Sequence, residues 1–143
     1  MKKLITFTIA LFAIGYVANA QCTGKVSWNA AKADMLDKDG NFMGSLPGKV
    51  LVQTSQTQIL MRHDEQGRDD LTGAVTDLKC EWKEPFKNGK ISFRTTLEDA
   101  SGDLKPSSVT IEAVDGKITI TVTADDKEKG KIRISVDSYK EEL

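Results

Sequence analysis

The chain has 143 residues, 20 Lys and Arg against 21 Asp and Glu, and only 6% aromatic residues. A formal charge of −1 without a basic stripe argues against nucleic acid or an anionic membrane as the main partner. One histidine and two cysteines are too few for a structural zinc site, which wants four ligands.

Residues 1–20 read as a secretory signal peptide. Lys2-Lys3 is followed by an apolar run over 4–17 and then Ala18-Asn19-Ala20, matching a charged region, a hydrophobic region and a small-residue cleavage site. The run is shorter than the roughly 20 residues a spanning helix needs, so a membrane anchor is the weaker reading. Lipidation at Cys22 is weaker still, because Gln21 is a poor residue to precede a lipidated cysteine. Cleavage leaves one domain, 21–143, with 18 basic and 21 acidic residues and no membrane-spanning stretch. Its residence is periplasmic or extracellular, where Cys22 and Cys80 default to one disulfide.

Along this domain, residues 29–36 read either as a short helical turn, favoured by Ala30-Ala31-Lys32-Ala33, or as the end of a bent strand. Asp37-Lys38-Asp39-Gly40-Asn41 predicts a tight turn. As an EF-hand it fails, since glycine falls at the fourth loop position and Gly48 stands where the closing glutamate belongs; a looser calcium site stays open. Residues 50–55 and 58–62 predict a strand pair, and 63–70 a charged loop. Over 71–82 the inward parity changes between Leu71, Gly73, Val75 and Leu78, Cys80, Trp82, which means two short strands or one with a bulge. Pro85 marks an edge or a bulge. Asn88-Gly89 signals a hairpin leading into Ile91, Phe93, Thr95 and Leu97 on one face, and 98–106 reads as a flexible loop.

The stretch 107–139 carries the clearest pattern. Val109, Ile111 and Ala113 alternate with polar residues up to Asp115-Gly116, and Ile118, Ile120 and Val122 alternate beyond it. Asp-Gly is the preferred chemistry of a two-residue type I′ turn, which sets Val114 opposite Lys117, Ile111 opposite Ile120 and Val109 opposite Val122. Thr119 and Thr121 are then exposed, as is Arg133 from a third strand whose Ile132, Ile134 and Val136 face inward. Gly-Lys followed by a β-branched residue occurs at 24, 48, 89, 116 and 130, read as a turn glycine and a lysine at a strand start. An anion-binding rim is the sharper alternative to lysines that simply block edge pairing.

These elements predict an all-β domain, an antiparallel up-and-down barrel of about eight to ten short strands, with a β-sandwich as the alternative. In general shape it resembles a small lipocalin-type barrel. The Gly-x-Trp of that family's first strand is absent, since three residues separate Gly24 from Trp28, and the resemblance carries no function. No nucleophile, base or phosphate-binding motif is evident, and His63 sits among charged loop residues, so no enzyme activity and no cofactor or metal is expected. Outward hydroxyls at Ser108, Thr110, Thr119, Thr121 and Thr123 suit a water- or sugar-ordering ladder, or merely an exposed strand face. The expected function is binding of an apolar small molecule inside the barrel, lined by Trp28, Trp82, Phe93, Ile111, Ile120 and Ile134. The alternative is a solid-core domain acting through its surface on a protein partner that the sequence does not identify.

Overall fold

The computed structural model describes residues 22, 24–63 and 70–142, so the leader reading of 1–20 and most of the charged 63–70 loop lie outside the described residues. Asp115 and Gly116 both take positive φ, 50° and 81°, as a type I′ turn requires. The strands on either side, β7 (Leu104–Val114) and β8 (Lys117–Ala124), then pair Val114 with Lys117, Ile111 with Ile120 and Val109 with Val122. β9 (Lys131–Ser135) continues the sheet with Ile134 opposite Ile120 and Arg133 opposite Thr121. Thr119 and Thr121 face outward but are half-buried rather than exposed. Thr110, Thr121 and Arg133 form one cross-strand row, and each covers its neighbour.

The same hairpin logic runs back through the chain. β1 (Lys25–Leu36) pairs β2 (Phe42–Thr54), β2 pairs β3 (Gln58–His63), and β3 pairs β4 (Leu71–Ala74). β4 and β5 (Thr76–Glu84) both lie along β6 (Asn88–Glu98), which pairs β7. β1 closes the circuit, its second half on β9 and its first half on β10 (Ser138–Glu142). With β4/β5 forming one stave and β9/β10 another, the ten strands make a closed eight-stave antiparallel barrel of up-and-down order. The β4/β5 break leaves the register on β6 unchanged, with Thr72 opposite Glu98 and Thr76 opposite Arg94; the parity change over 71–82 comes from the bulge between Thr76 and Lys79 inside β5, where Asp77 takes φ 52°. At the other break, the Asp137 carboxylate accepts the Ala31 N–H (2.7 Å), which the bulge between Ala30 and Lys32 has removed from the β1–β2 ladder.

Several local expectations are corrected. Of the two readings of 29–36 the bent strand holds and the helical turn does not: Ala30 and Ala33 are buried inside the barrel, and that burial overrides alanine's helix propensity. β2 starts at Phe42, so Gly48-Lys49 lies within a strand and not at its start. Asn88-Gly89 is not the hairpin turn. Pro85 and Phe86 are the central residues of a turn closed by Lys87 N–H to the Glu84 carbonyl (3.1 Å), with Phe86 at φ 62° where glycine is usual. The loop after β6 is shorter than expected, 99–103, because Lys105 and Pro106 are already in β7. It is also tied down, as the next subsection describes. The lysines behave as the meander dictates: Lys90 and Lys117 start parallel staves at one end, and Lys131 starts its stave at the other.

Trp28, Val52, Ile59, Val109, Ile111, Ile120 and Ile134 are fully buried in the barrel interior. Each contributes roughly 1.5–3 kcal/mol.

Candidate functional site

Strand direction sorts the connections into two sets. At one end the turns are short, 55–57, 85–87 and 115–116; at the other they are longer, 37–41, 64–70, 99–103 and 125–130. Each end has its own cavity.

The short-turn end is aromatic. Cys22 is disulfide-bonded to Cys80, with Cα atoms 6.1 Å apart, which fastens the segment before β1 across to β5. This bond is compatible with an oxidising, extracellular-type compartment. It brings the two tryptophans to the same end: Trp28 is two strand positions into β1's buried face and Trp82 two residues beyond Cys80. Phe86 stacks on Tyr139 with ring centroids 4.4 Å apart and lies 5.8 Å from both Trp28 and Trp82. The tryptophans are held differently. Trp28, 1% exposed, donates Nε1–H to Thr54 Oγ1 (3.0 Å), whereas the buried Trp82 Nε1–H has no partner among the described residues. Beneath these rings is a cavity of about 280 Å³. Val26, Leu78, Ile91, Phe93 and Ile111 line it beside Trp28, Trp82 and Phe86. Its mouth carries Glu142, whose carboxyl is held below the usual range by the Ser27 hydroxyl (2.9 Å) and by Lys25 (3.4 Å).

The long-loop end is a wider cup of about 530 Å³. Ala33, Leu46, Val50, Met61, Ile132 and Ile134 form its floor and walls, and Arg62, His63, Asp99, Ser101 and Lys105 stand around it. His63 is therefore the last residue of β3 facing the cup, not part of a solvated loop; its Nε2 is 2.9 Å from the Pro47 carbonyl oxygen. Two turns at this end are built alike. In 37–41 and 99–103 the aspartate carboxylate accepts the N–H groups two and four residues on, Asp39 and Asn41 in one, Ser101 and Asp103 in the other. Each has a glycine at φ 86° in its fourth position. Those bonds keep Asp37 below the ordinary carboxylate range, chiefly through Asn41, and bring Asp99 down to about 2, chiefly through the Ser101 hydroxyl. In the 37–41 segment the carboxylate oxygens of Asp37 are thus engaged by its own turn. Among the described residues no group of three or more His, Cys, Asp or Glu is placed to hold a metal.

Of the six residues singled out from the sequence, Trp28, Trp82, Phe93 and Ile111 meet around the aromatic cavity. Ile134 lines the cup instead, because β9 follows the seam at the long-loop end of β1. Ile120 is fully buried and lines neither space, so it belongs to the packed waist between them. Phe86 and Tyr139 escaped the sequence reading. The available signal was an aromatic residue immediately after Pro85, in a turn position that a bulky residue avoids without a compensating contact. Among the described residues no helix is long and apolar enough to cross a membrane. No protein-family model, curated protein or solved structure matches the chain.

Proposed function

We propose that this domain is a non-catalytic binding module that takes a small apolar ligand into the cavity at its aromatic end, in the periplasm or outside the cell. The observation that carries this reading is the partly open cavity of about 280 Å³ walled by Trp28, Trp82, Phe86 and Phe93. It lies near the lower bound of ligand sites, roughly 300–1,000 Å³, and so suits a one- or two-ring molecule or a short chain rather than a long lipid. Two further features support it. Phe86 keeps a left-handed backbone that costs on the order of 1–3 kcal/mol, and such strain persists where surrounding contacts fix it, often at ligand clamps. The unpartnered Trp82 Nε1–H is a buried donor of the kind a ligand acceptor completes.

The test is tryptophan emission. Titration with naphthalene, indole-free aromatics or a short alkanol should shift the emission of Trp28 and Trp82 to saturation. Ile91→Trp, which fills the cavity, should abolish the saturable response. An emission spectrum that does not change with any of these ligands, together with no heat of binding, would reject the proposal.

A further inference from the structure

The cup at the long-loop end lies apart from the aromatic cavity, with the packed waist at Ile120, Val109 and Val52 between the two ends. Its floor is apolar, through Ala33, Leu46, Val50, Met61, Ile132 and Ile134, and its volume, about 530 Å³, is well inside the range for ligand sites. The β1–β2 hairpin continues past it. Phe42, 62% exposed, is paired with Leu36, which stands opposite Lys131 on the outer face of the sheet. Met43 beside it is also exposed.

The surrounding polar groups restrict what the head of such a ligand can be. Both cations that line the cup already have carboxylate partners. Arg62 makes a two-pronged pair with Asp70 (Nε to Oδ1 3.0 Å, Nη2 to Oδ2 2.8 Å), and Lys105 lies 3.4 Å from Asp99. Asp99 also accepts the Ser101 hydroxyl (2.7 Å). Donors here are therefore committed, while the Ser101 hydroxyl oxygen and the outer oxygen of Asp99, which faces only Lys105, supply acceptors. A carboxylate head would meet Asp99 with no cation of its own, and a hydroxyl head would meet acceptors.

From this the geometry points to a second binding site in the cup for a single-chain amphiphile with a neutral, hydroxyl-bearing head, such as a long-chain alcohol or a monoacylglycerol. The apolar chain lies against Leu46, Met61 and Ile134, and the head sits between Asp99, Ser101 and His63.

Calorimetric titration of the full domain with monolaurin and with laurate at pH 7.5, each below its micelle concentration, tests it. Monolaurin should bind one to one, and laurate at least about fivefold more weakly, the scale of one exposed charge contact. Leu46→Trp should fill the cup and remove monolaurin binding, while small aromatics still change the emission from the opposite end. Asp99→Asn keeps the acceptor that orders the turn and releases Lys105, so the preference should move by about fivefold toward laurate. Equal or tighter binding of laurate by the unaltered domain would overturn the assignment. So would monolaurin binding that survives Leu46→Trp in a folded variant, or no monolaurin binding at all. A failure of the aromatic-end proposal would appear only in the tryptophan emission, so the two are judged separately.

Discussion

The two ends of this barrel reach stability by different chemistry. At the aromatic end, two- and three-residue turns, a disulfide and four interlocking rings hold the staves, and the local ion pair of Lys25 with Glu142 is peripheral. At the long-loop end, hydrogen-bonded aspartates and ion pairs hold turns of five residues or more around an open cup. The contrast follows from the meander. Successive turns alternate between ends, so a chain that keeps every second connection short concentrates packing at one rim and leaves the other to polar loops.

The largest effect should come from removing the covalent tie. Cys22→Ser with Cys80→Ser opens a loop spanning 58 residues and should cost about 4 kcal/mol on the chain-entropy model. Urea unfolding measures the loss, and the aromatic end should lose its amide protection before the cup does. Equal loss at both ends would show that the ends are one cooperative unit. Gly130→Ala attacks the opposite end, at the seam between β9 and β1. Its Cβ would collide with the Leu36 carbonyl oxygen, and a shift of backbone there should cost about 2 kcal/mol, read as a lower urea midpoint.

Acid sharpens the comparison further. Asp34, Asp37, Asp70 and Asp99 at the long-loop end all have folded-state pKa values below the ordinary value. At the aromatic end Glu142 shares this behaviour. A depressed carboxyl pKa gives stability that is fully present above the unfolded value and is lost as pH falls through the folded one. Between about pH 4 and the value of about 2 held by Asp99, the 99–103 turn should therefore loosen, seen as pH-dependent amide shifts at Ser101 and Asp103. Asp99→Asn should remove that titration. The smallest effect on stability is expected for Phe86→Gly. Relief of the left-handed backbone offsets the lost stacking on Tyr139, for a net change within about 1 kcal/mol. The tryptophan emission should nevertheless move to longer wavelength as water reaches Trp28 and Trp82, and a spectrum that stays put would mean that Phe86 does not seal the cavity.

How much of this was legible depends on whether local chemistry or distant packing decides. Asp115-Gly116 is a local instruction, and it set the register of β7 on β8 residue by residue, while alternation alone gave the inward face of β9. The Cys22–Cys80 bond followed from cysteine number and compartment, and with it the gathering of Trp28 and Trp82 at one end. The first half of β2 was invisible because Gly44, Pro47 and Gly48 interrupt its alternation; its partner strand β1 imposes the extended form. The alanines of 30–33 misled for the same reason, as interior-facing positions near a crowded seam need small side chains whatever their propensity. Phe86 and Tyr139 are 53 residues apart in sequence and meet only because the barrel closes, so no window of sequence contains their contact. The division of the interior into two cavities depends on how far each stave reaches, which periodicity does not encode.

A closed barrel also bears on how the protein behaves in a crowd of its own copies. Circular pairing leaves few runs of backbone unpaired on one side to recruit another chain; among the described residues these include β5, on β6 alone, and β10, on β1 alone. The longer of these two is β5. There the outward positions are Asp77, Lys79, Glu81 and Lys83, alternating in sign and all charged, and the strand begins with a kink at Asp77. A neighbouring copy approaching that edge would have to desolvate this series of charges, and the Cys22 tether lies across the same strand. The stretch most open to strand addition is thus also the one guarded against it, which makes self-association, rather than unfolding, the hazard that its composition resists.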